Sequence, residues 1–279
     1  MRIVALIALL AVGCSEASAF NRRRHGRNVA ATSGSAVTIF ENYAWTMLYT
    51  TDNEGAPWVD SGSAGADVTA NTVRATCGAA TTGLNDSAIG AAAGNACSFA
   101  SDNGYKESVA FPTVADGDEI HARVLFKPTS PGVNNYLLYY LKSGSQQFFV
   151  RIQGATTGNA TFAIGNATST GCTFTTPAAG NWMLLDVLFI DDNTTAVGCN
   201  AAGTCGVKVW VNGTETLCGD ATVDYTGMAG AGLWGVSARY DGALSAVGDG
   251  VAYGVRIGSS VTMDEATHDA DCVAVGICP

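Results

Sequence analysis

The chain has 279 residues, of which 14% are charged, and its formal net charge is −10. That length suits one large all-β domain or two small ones, and the acidic balance argues against a body that binds nucleic acid. Glycine is frequent at 34 residues, and Thr, Ser and Asn crowd the stretches between short apolar runs. No long amphipathic helix stands out, and short strands joined by turns are expected.

Arg2 to Gly13 sets one basic residue before an apolar run of about ten, too short to span a bilayer, and Ala17-Ser18-Ala19 follows in cleavage-site form. Residues 1–19 therefore read as a secretory signal. Ala11-Val12-Gly13-Cys14 resembles a bacterial lipobox with Ala11 in the usual place of Leu, so lipidation of Cys14 is the alternative end and the one membrane attachment expected. Residues 20–35 form a polar, small-residue linker carrying Arg22, Arg23, Arg24 and Arg27. Beyond these arginines the body holds nine basic and 23 acidic side chains, a net of −14, which should repel nucleic acid.

Eight cysteines remain after residue 19, an even number that suits disulfides in an oxidising compartment. Three pairs are near neighbours: Cys77 with Cys97, Cys199 with Cys205, and Cys272 with Cys278. Cys172 is then left to Cys218. Zinc is disfavoured, because no Cys-x2-Cys occurs and the three histidines are scattered. The expected location is secreted, extracellular or at the cell surface, and periplasmic if the source is bacterial.

Val37–Glu41 looks like a first strand and Trp45–Thr50 like a second, whereas Asp52–Asn71 reads as surface loop. Val73–Cys77 suggests a short strand. Ala88–Gly94 has helical character, but its two glycines weaken it by about 1 kcal/mol each, and a loop is expected. Glu119–Lys127 alternates cleanly, with Ile120, Ala122, Val124 and Phe126 on one face and Glu119, His121, Arg123 and Lys127 on the other, as in a half-buried strand. Asn135–Lys142 and Gln146–Gln153 form a hairpin through Ser143-Gly144-Ser145. Thr161–Ile164 and Cys172–Thr175 are shorter candidates.

Trp182 to Ile190 is apolar at every position except Asp186 and has strand length, so it should be a central strand covered on both faces, with Trp182 and Val187 in the core. Next come Val207–Val211, Asn212-Gly213 and Thr214–Leu217. Asn-Gly supplies both φ > 0 residues of a type I′ turn, which sets Val211 opposite Thr214, Trp210 opposite Glu215, Val209 opposite Thr216 and Val207 opposite Cys218. Gly232–Tyr240 and Val251–Ile257 complete about a dozen strands, the last with Val251, Tyr253, Val255 and Ile257 on one face. So many short strands without intervening helices predict an all-β, two-sheet antiparallel jelly-roll β-sandwich over residues 36–260, followed by a tail, 261–279, with a short cysteine loop.

Gly180-Asn181-Trp182, Val209-Trp210-Val211-Asn212-Gly213 and Tyr253-Gly254-Val255-Arg256-Ile257, in that order, resemble the concanavalin A-like lectin/glucanase superfamily, and its laminin-G-like members most. The resemblance implies glycan binding, adhesion or glycan cleavage. Its retaining glucanases use a Glu-x-Asp-x-x-Glu strand to set two carboxylates about 5 Å apart, and no such triplet occurs here. Glu119-Ile120-His121 and Tyr140-Leu141-Lys142-Ser143-Gly144 are similar to motifs of alginate-lyase-like jelly rolls. However, Gln146 stands where that family has its catalytic tyrosine, so His121 would have no general acid to serve the leaving oxygen. No Gly-x-Ser-x-Gly is present either.

The function expected is carbohydrate binding without catalysis, with a polysaccharide or glycosylated surface as partner. The rival is a structural or adhesive surface protein. A ligand is expected on the polar face carrying His121, Arg123, Tyr139, Arg151 and Trp210, each opposite a pair of core residues, provided their strands share one sheet. Trp210 would stack on a pyranose, and the arginines would bind hydroxyls, a uronate or a sulfate. Asp191, Asp192 and Asn193 offer hard oxygen ligands for calcium. Asp186, alone in an apolar strand, needs hydrogen bonds or a cation.

Overall fold

The computed structural model describes residues 39–40, 43–51, 59–68, 75–100, 105–111, 114, 118–130, 135–142, 147–164, 167–190, 206–218, 230–238, 247–259 and 265–278. All lie in the compact unit Ser35–Pro279. In chain order the elements are β1 (Met47–Thr50), β2 (Thr76–Ala79), α1 (Asp86–Ile89), β3 (Ala96–Phe99), β4 (Tyr105–Phe111) and β5 (Glu119–Pro128). There follow β6 (Asn135–Lys142), β7 (Gln147–Ile152), β8 (Thr157–Ile164), β9 (Ala167–Thr175), β10 (Met183–Ile190), β11 (Gly206–Val211) and β12 (Thr214–Cys218). The last are β13 (Gly230–Val236), β14 (Gly248–Gly258) and α2 (Glu265–Val275).

The strands form two antiparallel sheets and the fold is the expected jelly-roll sandwich. An eight-stranded sheet runs β12-β11-β10-β5-β14-β3-β2, with β1 also paired to β14, and a six-stranded sheet runs β4-β13-β6-β7-β8-β9. β10 sits between β11 and β5, and its residues are buried on both faces except for Ile190 at its end. The β11–β12 register is the one the Asn-Gly turn dictates, Val211 opposite Thr214 and Trp210 opposite Glu215. Asn212 and Gly213 both have positive φ, 47° and 77°.

The main core fills the space between the sheets. Ile120, Ala122, Val124 and Phe126 meet Met183, Leu185, Val187 and Phe189 from one sheet and Leu138, Tyr140, Phe148, Val150 and Trp234 from the other. Cys77–Cys97 ties β2 to β3. Cys172 is disulfide-bonded as well, while Cys199, Cys205 and the side chain of Cys218 lie outside the described set.

A second core lies on the outer face of the eight-stranded sheet. Leu125, Leu184 and Ala252 project there, and Ile39, Phe40, Trp45, Ile89, Trp182, Cys272 and Val275 cover them. Trp182 is buried here, as expected, with its indole N–H donating to the Thr82 carbonyl at 2.9 Å.

Several elements differ from their expected form. Ala88–Gly94 is not simple loop: one α-turn and one tighter turn form there, because Asn85 caps the start by accepting from the Ser87 N–H. Val251 does not share a face with Tyr253 and Val255, because a bulge between Gly250 and Ala252 turns it to the outer core. β4, which no alternation announces, pairs with β13. The tail is an eleven-residue helix, closed at its end by Cys272–Cys278. Ile39 and Phe40 form a turn, and the rest of the expected first strand lies outside the described residues. Among the described residues no helix is long and apolar enough to cross a membrane.

Candidate functional site

Asp186 is the hub of a buried polar cluster on the outer face of the eight-stranded sheet. Because β5 and β10 are in register at Arg123 opposite Asp186 and His121 opposite Leu188, both basic side chains of β5 reach the same carboxylate. Arg123 donates Nε to Oδ1 at 2.8 Å and Nη2 to Oδ2 at 3.2 Å, and His121 Nε2 lies 2.6 Å from Oδ1. From α2, His268 Nδ1 lies 2.6 Å from Oδ2. Asp186, His121, Arg123 and His268 are all 0% exposed.

The tautomers follow from the partners. Gly213 N–H donates to His268 Nε2 at 3.0 Å, so that nitrogen carries a lone pair and Nδ1–H must donate to Asp186. His121 likewise donates through Nε2, and its Nδ1 is buried with no hydrogen-bond partner. Burial pushes the His121 pKa below its ordinary 6.5, against the pull of Asp186. Burial alone would raise the Asp186 carboxyl, yet the Arg123 charge and the two imidazole hydrogen bonds hold it well below the usual range. Arg123 is also desolvated, and Asp186 more than offsets that, so its charge is secured. The cluster is therefore an Arg123–Asp186 ion pair flanked by two imidazoles, each donating one N–H to the carboxylate.

Arg123 extends the cluster to both ends of the described chain. Its Nη1 donates to the Ile39 carbonyl at 2.9 Å and to Asp271 Oδ2 on α2 at 2.7 Å. Tyr43 donates its hydroxyl to the same Asp271 oxygen, and its ring lies between two guanidiniums, 4.7 Å from Arg123 and 5.0 Å from Arg256. Trp45 packs 5.6 Å from the His121 ring and Trp210 packs 6.2 Å from His268. This arrangement fastens the sheet to the segments that cover it.

The outer face of the six-stranded sheet is built differently. Phe148, Val150 and Ile152 of β7 point into the core, so Gln147, Phe149 and Arg151 point outward. Strand pairing sets Tyr136, Arg151, Asn159 and Thr173 side by side across β6 to β9, and Tyr139, Phe149 and Thr161 in the next row. Tyr136, Tyr139 and Phe149 form an aromatic cluster with centroids 5.3 to 6.4 Å apart. The Arg151 guanidinium lies 4.9 Å over Phe149 and 5.9 Å from Tyr136, and Tyr139 donates to Gln147 Oε1 at 3.1 Å. Arg151, Asn159 and Gln147 are partly exposed and Thr173 is exposed. No described carboxylate pairs with Arg151, whose one side-chain hydrogen bond among the described residues is a long one to the Tyr136 hydroxyl, 3.4 Å.

The five residues expected to share a ligand face do not come together. His121, Arg123 and Trp210 stand on β5 and β11 of the eight-stranded sheet, sealed beneath α2 and the Ile39–Trp45 segment, whereas Tyr139 and Arg151 stand on β6 and β7 of the other sheet. Each does point away from its own strand's core residues: His121 and Arg123 meet at Asp186, with Trp210 opposite it on β11, and Tyr139 and Arg151 adjoin through Phe149. Asp186 proves to be a satisfied core carboxylate. The calcium candidates Asp191, Asp192 and Asn193 lie outside the described residues, and among the described ones no group of three His, Cys, Asp or Glu could hold a metal ion. Sequence reasoning missed His268, Asp271 and Tyr43. On α2 the buried positions His268, Asp271, Cys272 and Val275 follow helical spacing, and two of the four are polar, which hid the period.

No family model matches the chain and no curated protein matches it. Among solved structures it is similar to the binding domain of botulinum neurotoxin DC in complex with rat synaptotagmin II, at 10% identity and a TM-score of 0.50, over 82% of this chain and 51% of that one. A mutant of HCR/D is similar at 10% identity and a TM-score of 0.51, again over 82% of this chain and 51% of that one. The chain thus spans about half the length of these structures, and the likeness is one of fold. A carbohydrate-binding module, the Ruminococcus gnavus sialidase CBM40 bound to sialyllactose, shares 11% identity over 62% of this chain and 99% of that one, at a TM-score of 0.41 too low to weigh further.

Proposed function

We propose that this is an exported, lectin-like protein of the concanavalin A-like type that binds carbohydrate without transforming it, through the row Tyr136, Arg151, Asn159 and Thr173. The observation that carries the reading is Arg151. It is a partly exposed guanidinium without a described carboxylate partner, in a chain of net charge −10, placed over the Phe149 ring and flanked by an amide and hydroxyls. Neighbouring strands are about 4.8 Å apart, so the row extends about 14 Å across four strands. A glycan bearing a uronate or sulfate would give the guanidinium the paired acceptor oxygens it is shaped for. Tyr139 and Gln147 would border the site, and His121, Arg123 and Trp210 have no part in it.

A glycan array probed with the purified domain, followed by titration of the strongest ligand, tests this reading. Arg151→Ala should weaken binding by about 1 to 3 kcal/mol, as loss of a central contact does. Unchanged affinity would move the site elsewhere. Repeating the titration in a chelator tests whether calcium, held by Asp191, Asp192 and Asn193, takes part.

One observation favours a structural or adhesive surface role of laminin-G-like kind instead. Tyr136, Tyr139 and Phe149 are only 3 to 7% exposed, so no broad ring face is offered to a pyranose. An array with no binder at all would put that role ahead.

A further inference from the structure

We infer that the His121–Asp186–His268 cluster is an acid-opened latch: in mildly acidic solution α2 and the Ile39–Trp45 segment detach from the eight-stranded sheet while the two-sheet sandwich stays folded. The geometry leaves neither imidazole a place for a second proton. A proton on His268 Nε2 would point at the Gly213 N–H that now donates to it, from 3.0 Å away. A proton on His121 Nδ1 would be buried with no described acceptor. Both rings are 0% exposed, so either cation would be desolvated, and Asp186 already has Arg123 at 2.8 Å as its counter-ion.

The charged and titratable groups around the two rings come from every element packed there. They are Asp186 on β10, Arg123 and Glu119 on β5, Arg256 on β14, Tyr43 ahead of β1, and Asp269 and Asp271 on α2; Lys208 on β11 and Glu215 on β12 stand on the same sheet face, beside Trp210. Within the sealed part, Arg123 and Asp186 cancel and Asp271 is shared by Arg123 and Tyr43. Asp186 and Asp271 are thus already engaged, and neither is free to neutralise an added proton. The cheaper response is to let the rings reach water, and they reach it where α2 and the 39–45 segment lift.

What opens is local, because the two cores are separate. The main core between the sheets contains no residue of α2 or of the Ile39–Trp45 segment; the cover is held by the outer cluster and by bonds to the α1 region, from Asn85 to the Ala274 and Val275 carbonyls and from Ile39 N–H to the Ala88 carbonyl. Cys272–Cys278 closes a loop within the tail and does not tie it to the sheet.

Hydrogen exchange of the full chain, corrected for intrinsic rate and followed from pH 7.5 to 4.5, tests the latch. The expected result is loss of protection, at least tenfold, over residues 265–275 and at Gly213, with β7 and β10 still protected. A second readout is the ring signal of His121 by NMR, which should titrate only together with that opening. The variant His121→Gln/His268→Asn keeps the donor of each ring to Asp186 and cannot take a proton, so its α2 protection should be independent of pH over the same range. The inference is overturned if α2 stays protected to pH 4.5, if β7 and β10 open with it, or if the His121 ring of the parent protein titrates near the ordinary 6.5 with α2 in place.

Discussion

The outer faces of the two sheets are written with the same device, a polar or aromatic side chain opposite each core residue, yet they end in different environments. On the eight-stranded sheet, His121, Arg123, Asp186 and Trp210 are closed over by α2 and the segment before β1, and every charge within has a partner. On the six-stranded sheet, Arg151 and Asn159 remain partly exposed. A polar residue on a strand's outer face is therefore a ligand candidate only after one knows what packs against that face. The chemistry of the residues distinguishes them once the structure is seen. The buried set gathers its donors on the Asp186 carboxylate, and the open set holds a guanidinium with no described acid beside it.

Substitutions should separate the two faces sharply. Asp186→Ala would leave Arg123 buried without its bidentate partner and should cost about 3 to 5 kcal/mol. A melting temperature within a degree or two of the parent would show the cluster to be hydrated, contrary to its 0% exposure. Trp182→Ala, under the same cover, should cost a similar 3 to 5 kcal/mol, as large-to-small aromatic changes do.

A smaller effect is expected at the turn that joins the two strands beside the cluster. The Asn212 side chain accepts from Leu184 N–H at 2.8 Å and donates to the Trp182 carbonyl at 3.2 Å, and its φ is positive. Asn212→Ala should lose about 1 to 3 kcal/mol in denaturant unfolding, and a neutral result would mean that Asn-Gly sets the register without these bonds.

Stability should also depend on pH through the sealed face. The His121 pKa is lowered on folding, so the unfolded chain binds the extra proton first. Its contribution is complete above about pH 6.5 and is lost as pH falls below that toward the folded value, at up to about 1.4 kcal/mol per unit for one proton. Asp186 is depressed instead, and its contribution would fade only in stronger acid. Denaturant midpoints that are flat from pH 7 to 5 would contradict a neutral buried His121.

The smallest effect belongs to the open face. Arg151→Ala should change stability by no more than about 0.5 kcal/mol, as substitutions at partly exposed positions generally do. A loss of several kcal/mol would mean that Arg151 holds the Tyr136–Phe149 cluster together, and the contrast between the faces would collapse.

The sequence by itself determined the class of fold, the Asn212-Gly213 hairpin with its register, the burial of β10, and the inward face of β5, β6 and β7. These are local properties, since period-two alternation and turn chemistry act between residues a few positions apart. Two of its short-range cysteine pairs, Cys77–Cys97 and Cys272–Cys278, were legible for the same reason. Only the tertiary structure decided that β5 and β11 lie in one sheet and β6 and β7 in the other, because alternation relates a strand to its own core face and carries no record of its distant partners. It likewise decided that His268 and Asp271 would close over Asp186, 82 and 85 positions earlier in the chain. In α2 half of the buried stripe is polar, so a helix whose inward face is recognised by charge and hydrogen bonding left no hydrophobic period to read.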